Sequence, residues 1–287
     1  MSTIDPDLSI GSATLAVSDL QRSVDFYERV LGLPLISRDD DSARLGPDRE
    51  RPALVLTSIA APTPAPRGST GLFHVAWLHP SRSALGASVR RVTGQRWPFD
   101  GAADHGVSEA LYLSDPDGLG IEIYCDRPRE QWERPADGHG VKMVTLPLDL
   151  EDLLEQSTQE PTAAVPPDTI VGHVHLKVSD VPRAASFYDG ALGFEEQAQL
   201  PSAAFLSAGG YHHHLGLNSW QSHGGSAPPN SAPGLRLVVF DLRGPQALDA
   251  IERGVADAGS GRAASRGEDG SVSVRDPDGA LLRFAER

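Results

Sequence analysis

A chain of 287 residues, 39% hydrophobic and 22% charged, is long enough for two globular domains with real cores, which excludes a disordered or low-complexity protein. A net charge of −14 argues against nucleic acid or anionic membrane as a partner and favours simple solubility. The lone Cys125 excludes an internal disulfide and suits a reducing cytoplasm, no apolar run approaches the roughly 20 residues that span a bilayer, and the opening residues MSTIDPDLSIG show no basic-then-apolar leader pattern.

In chain order, the first element is a strand running through Leu15-Ala-Val17. Ser18-Asp19 then opens a helix with Phe26, Tyr27 and Val30 at helical spacing, and Gly32 ends it. Asp19 suits an N-cap, and Gly32 suits the position after a helix where φ is positive. Gly71-Leu-Phe-His-Val-Ala-Trp77 opens a second unit. Leu111-Tyr-Leu-Ser-Asp-Pro-Asp-Gly118 reads as a strand and a tight turn, followed by a returning strand. The stretch from Arg127 to Asp168 is rich in Pro and charge, with a helical segment around Leu148 to Gln156. A connection of that length is unusual inside one domain, so it reads as a linker that wraps a surface.

The pattern then repeats. Leu176-Lys-Val-Ser-Asp-Val-Pro-Arg-Ala-Ala-Ser-Phe-Tyr-Asp-Gly-Ala-Leu-Gly-Phe194 matches Leu15–Leu33, with Asp180 and Gly193 standing where Asp19 and Gly32 stand. The run Gly209-Gly-Tyr-His-His-His-Leu-Gly-Leu-Asn218 reads as the last strand of a third unit. Gly234–Phe240 opens a fourth, and Val272-Ser-Val-Arg-Asp-Pro-Asp-Gly279 repeats the turn of the second. Four modules follow, at roughly 8–66, 69–127, 168–222 and 232–287. They fall into a first half at 1–127, a linker at 128–167 and a second half at 168–287.

These repeats resemble the vicinal oxygen chelate superfamily, which contains glyoxalases, bleomycin-resistance proteins and extradiol ring-cleaving dioxygenases. The resemblance covers nearly the whole chain apart from the linker. It implies an α+β fold of four βαβββ modules that form two half-open mixed barrels, with metal ligands on the first and last strands of the modules. The first-strand position lies seven residues before the Ser-Asp aspartate: Ser12 in module one and His173 in module three. Modules two and four carry His74 and Leu237 there. The last-strand position, four residues past the turn glycine, holds Glu122 in module two and Arg283 in module four. A leucine cannot coordinate, and an arginine would repel a cation. Sequential pairing of modules would leave neither barrel with a full set. Pairing modules two and three gathers His74, Glu122 and His173 in one cup, and pairing between two chains would serve equally. Two histidines and one carboxylate with open positions favour non-haem Fe(II), with Mn(II) as the alternative. A lone strand histidine is more often packed than ligating. Three ligand-type residues at three family positions, absent from two sister modules, are harder to obtain by chance.

The stretch from His105 to Glu122 also resembles the extradiol dioxygenase signature: a His, a gap, an apolar residue before Tyr112, a Pro-Gly turn and the ligand Glu. Ala103 is its one departure. The resemblance implies that His105 and Tyr112 hydrogen-bond the substrate, and that the second His of an adjacent pair moves protons. Alignment on Leu215-Gly-Leu217 gives that role to His213, while strand alternation sets His212 and His214 on the opposite face, with His214 as the competing choice for a fourth ligand. The implied activity is cleavage beside the hydroxyls of an aromatic diol by dioxygen, to a muconic semialdehyde, in aromatic hydrocarbon catabolism. Catechol and hydroquinone substrates both stay open, as does the metal. A homo-oligomer is expected. The alternatives are a glyoxalase-type lyase or isomerase with four ligands, and a protein of the same fold that only binds a small aromatic or a drug.

Overall fold

The computed structural model describes residues 3–136, 138–157, 164–259 and 261–287; parts of the leader and linker readings, at 1–2, 137 and 158–163, lie outside them. Module one supplies β1 (Ser9–Val17), α1 (Leu20–Arg29), β2 (Leu35–Arg38), β3 (Ser42–Leu45) and β4 (Leu54–Ser58). Module two supplies β5 (Gly71–Leu78), α2 (Arg82–Gly94), β6 (Gly101–Asp104), β7 (Ser108–Ser114) and β8 (Gly120–Asp126). The linker carries α3 (Leu150–Gln156). Module three follows with β9 (Ile170–Lys177), α4 (Val181–Gly190), β10 (Glu195–Leu200), β11 (Ala203–Ser207) and β12 (Leu215–Asn218). Module four has β13 (Gly234–Leu242), α5 (Pro245–Asp257), β14 (Ser265–Arg266), β15 (Val272–Arg275) and β16 (Leu281–Glu286).

The modules pair across the sequence halves. One eight-stranded sheet has the order β14-β15-β16-β13-β1-β4-β3-β2, joining modules four and one. The other has the order β10-β11-β12-β9-β5-β8-β7-β6, joining modules three and two and forming a half-barrel. In each sheet the seam is an antiparallel pair of first strands, β1 with β13 and β5 with β9, flanked by parallel pairs to the last strands. This is the α+β module architecture expected from the repeats, with the central modules paired. The main apolar core runs through both sheets, with Phe26 of α1 against Trp97 at 4.7 Å and Phe240 stacked on Phe284 at 5.2 Å. Among the described residues, no helix is long and apolar enough to cross a membrane.

The repeated motifs have a physical reason. Asp19 and Asp180 cap α1 and α4, accepting from the backbone N–H of Arg22 and Arg183. Gly32 and Gly193 take φ of 76° and 80°, as the helix exits require. The Asp-Pro-Asp-Gly turns reach back to the helix of the preceding module. Asp117 accepts from Ser18 N at 2.8 Å, from Ser18 Oγ and from Arg22. Asp278 does the same for Ser179 Oγ at 2.6 Å and Arg183 at 2.9 Å. Below them Tyr27 donates to Asp115 at 3.2 Å and Tyr188 to Asp276 at 3.0 Å. Helix and turn motifs therefore join modules one to two and three to four, while the sheets join one to four and two to three. The linker helix docks on α2: Arg82 pairs with Asp152 at 2.8 Å and Ser157 Oγ donates to the Ser83 carbonyl at 2.8 Å.

Two expectations follow. Asp117→Ala strands two donors of Ser18, whereas Asp278→Ala strands one of Ser179, so both should lose stability by about 1–3 kcal/mol, Asp117→Ala more, read from urea midpoints. His79 at the end of β5 is buried beside Arg91, and burial pushes its pKa down to about 3. A depressed histidine contributes stability that is full above about pH 6.5 and lost as pH falls toward 3. The wild type should therefore lose roughly 2 kcal/mol more than His79→Leu between pH 7 and pH 5.

Candidate metal centre

The antiparallel register of β5 and β9 sets His74 opposite His175 and Ala76 opposite His173, while the parallel register of β5 and β8 sets Ala76 beside Glu122. Alternation turns Glu122 away from Ile121 and Ile123, which enter the apolar core, and into the cup. His74, Glu122 and His173 thus meet although they come from three strands. His74 Nε2 lies 3.0 Å from Glu122 Oε2, His173 Nε2 lies 3.2 Å from the same oxygen, and the two nitrogens are 3.2 Å apart. All three side chains are buried. Burial pushes the His173 pKa down to about 4, leaving a neutral ring. Burial opposes ionisation of Glu122, but the adjacent His173 and His74 outweigh it and hold the carboxyl well below its usual range. Glu122 thus brings a negative charge to the cluster and His173 a neutral imidazole.

These residues fit a divalent transition cation. Three donor atoms separated by 3.0–3.2 Å match the edges of one octahedral face, about 3 Å for ligand distances near 2.1 Å. Two of the three donors are soft enough for Fe, Mn or Zn. Gly216 stands where a second carboxylate would stand: it pairs with His175, two residues after His173, as Glu122 pairs with Ala76, two residues after His74. Its missing side chain leaves room for the His175 ring, which a Cβ would approach to 2.7 Å. The same register in the other sheet sets Ser12 opposite Val239 and Arg283 beside Val239, so Ser12, Leu237 and Arg283 occupy the matching ligand positions there. Arg283 is held by Asp269 and Ser271.

The flanking groups converge from module two, module three and the linker. Tyr112 pairs with Glu122 across β7 and β8, and its ring lies 5.8 Å from that of His74. His105 Nδ1 lies 2.7 Å from the Val144 carbonyl, which can only accept, so Nδ1 carries a proton. A neutral His105 then accepts at Nε2 from the Tyr112 hydroxyl at 2.6 Å. Burial, with Glu122 nearby, raises the Tyr112 pKa, so the phenol stays protonated.

The triple-histidine run lies ahead of β12, which begins at Leu215, so strand alternation does not govern it. His213 and His212 are on the same side and in contact, Nδ1 to Nδ1 at 2.8 Å. The His213 ring packs on His173 with centroids 4.1 Å apart and on Phe205 at 5.0 Å. His214 is turned back to its own loop, its Nδ1 accepting from Ala208 N at 3.2 Å. Sequence reasoning passed over His175, Asp126 and, within the linker, Val144. The signal for His175 was its spacing of two from His173. The linker gives no such signal, since Val144 acts through its backbone carbonyl.

A cavity of about 1010 Å³ opens elsewhere, on the side of the Asp-Pro-Asp-Gly turns, lined by Arg22, Asp117 and Lys177 among others. It touches none of the histidine cluster. Convergent donors mark the candidate site better than volume does, because a small chelating ligand needs little room.

The fold and this open triad in a paired-module half-barrel define a class. The chain belongs to the glyoxalase/bleomycin resistance protein/dioxygenase superfamily, whose model matches residues 9–123 and 170–284. It is 41% identical over 288 residues to the catechol-2,3-dioxygenase of Bacillus subtilis (strain 168), covering 99% of each chain. That full-length relationship supports a dioxygenase of this family. Among solved structures, a provisionally assigned dioxygenase from Bacillus subtilis matches with a TM-score of 0.66 at 15% identity, covering 99% of this chain and 86% of its own. Glyoxalase I from Zea mays matches with a TM-score of 0.59 at 16% identity, covering 98% and 92%. At these identities the structures speak for the fold alone.

The asymmetry between the sheets makes a prediction. Leu237→His should add no second equivalent of bound metal, because Ser12 and Arg283 remain; metal content of the purified variant checks it.

Proposed function

We propose that the chain is an extradiol ring-cleaving dioxygenase that opens a catechol-type aromatic diol with dioxygen, using Fe(II) held by His74, Glu122 and His173, with Mn(II) as the alternative metal. The observation that carries this reading is the three-donor cluster with glycine at the fourth position and His213 packed on one ligand. A glyoxalase-type lyase would want a fourth ligand there. The 41% identity to a catechol-2,3-dioxygenase supports the same reading.

Bound in this triad, Fe(II) would supply Lewis acidity toward the diol and a redox couple for dioxygen. The remaining chemistry falls to the chain. His213 is buried and, by burial chiefly, held neutral well below its usual range, so it can accept a hydroxyl proton of the diol and return it as the ring opens. Tyr112, its ring beside His74 and its hydroxyl braced by His105, would orient the substrate. The Phe205 ring, packed against His175 and His213, offers an apolar face that suits an aromatic substrate. A homo-oligomer and a cytoplasmic location are parts of this proposal that light scattering and fractionation would read.

The test is anaerobic reconstitution with Fe(II), followed by a panel of catechols and hydroquinones with oxygen uptake recorded. One dioxygen consumed per diol, with a yellow ring-opened product, is expected. Metal binding without oxygen uptake on any diol, together with turnover of a glutathione hemithioacetal, would establish the lyase instead. His74→Ala, Glu122→Ala and His173→Ala should each lose the metal while circular dichroism stays native. His213→Phe should keep iron and diol binding while kcat falls by ~10²–10⁴ and KM changes less.

A further inference from the structure

The hydrogen bonds behind His213 form a chain whose direction is set at one end. Asp126, the last residue of β8, is a carboxylate and can only accept. Its Oδ1 lies 2.9 Å from His212 Nε2 and 3.2 Å from the Tyr211 hydroxyl. His212 must therefore carry its proton on Nε2. A neutral His212 then has a lone pair on Nδ1, which lies 2.8 Å from His213 Nδ1. That contact is a hydrogen bond only if His213 donates, so the His213 proton sits on Nδ1 and Nε2 keeps the lone pair. The neighbouring hydroxyls fall into the same order: Tyr211 donates to Asp126, so Tyr124 donates to Tyr211 at 2.8 Å.

We propose that Asp126 is a positioning residue which, through His212, holds His213 in the Nδ1–H tautomer and leaves His213 Nε2 as the proton acceptor of the site. The inference rests on the assignment of His213 to proton transfer and adds what prepares it. A neutral imidazole has one acceptor nitrogen, and without an anchor the proton distributes over both nitrogens. The surroundings keep the chain of bonds in place. His212 is fully buried, with the Trp132 ring at 5.3 Å and the Tyr211 ring at 4.1 Å. Tyr124 lies against His173 at 4.9 Å, and its hydroxyl occupies space that only glycine at 172 allows, since a Cβ there would sit 1.8 Å from it. Asp126 is thus tied by hydrogen bonds to two of the rings that pack on His173, His213 through His212 and Tyr124 through Tyr211.

The experiment uses full-length protein labelled with ¹⁵N-histidine and loaded with diamagnetic Zn(II), read by long-range ¹H–¹⁵N correlation spectra at pH 7.5. In the wild type, His213 should show the Nδ1–H tautomer and His212 the Nε2–H tautomer. Asp126→Asn keeps an acceptor oxygen and should keep both assignments. Asp126→Leu removes it and should shift His213 toward Nε2–H or a mixture. With Fe(II), Asp126→Leu should lower kcat roughly ten- to a hundredfold at unchanged iron content and KM, with Asp126→Asn close to wild type. An Nε2–H tautomer of His213 in the wild type, or spectra unchanged by Asp126→Leu, overturns the inference. Because the spectra need no turnover, a protein with the expected tautomers and no activity on diols would refute the dioxygenase reading and leave the tautomer assignment standing.

Discussion

The antiparallel pairing of β5 with β9 is the constraint on which the rest depends. It joins a strand from each half of the chain, and its register decides which side chains share the cup. A shift by one residue would turn His74 or His173 out of the cup toward the core and leave Glu122 with a single histidine. The parallel partners on either side, β8 and β12, are placed by the same seam, and with them Glu122 and Gly216.

What resists such a shift is a second set of contacts that runs in the other direction. The Asp-Pro-Asp-Gly turns bind the helix starts of the preceding module in sequence, whereas the sheets bind modules from opposite halves. Each module is therefore held to two others by contacts of different kinds. Among the described residues the sheet of modules one and four has no ligand set, yet its β1–β13 seam repeats the register of the metal-type sheet, and through the Asp278 turn it holds the start of α4, which packs on β10, β11 and β12.

The chemistry of the candidate site follows from burial. Histidines and a carboxylate withdrawn from water are costly unless paired with each other or with a cation. Here three donors face one point, and the histidines around them are held by partners behind them: Asp126 accepts from His212, the Val144 carbonyl accepts from His105, and the Asn218 side-chain amide nitrogen donates to His175 Nε2 at 3.1 Å. The linker reaches the cluster at two points, the Val144 carbonyl on His105 and the Trp132 ring on His212, as well as joining the halves.

The repeats, the helix caps at Asp19 and Asp180, the turn motifs and the asymmetric distribution of ligand-type residues were all legible in the sequence, because each depends on local spacing or on a residue type with one dominant use. The same asymmetry pointed to the pairing of modules two and three, since His74, Glu122 and His173 can meet in no other arrangement within one chain. The sequence could not say how the triple-histidine run is oriented. Alternation applies only inside a strand, and residues 212–214 precede β12 in a loop whose path is set by Trp132, Tyr211 and Asp126. Nor could it reveal Val144 or Asp126, which act through a carbonyl and a distant carboxylate and carry no spacing signal. Local geometry was determined by the sequence itself; the direction of His212 was decided only when chain segments more than 80 residues apart came into hydrogen-bonding distance.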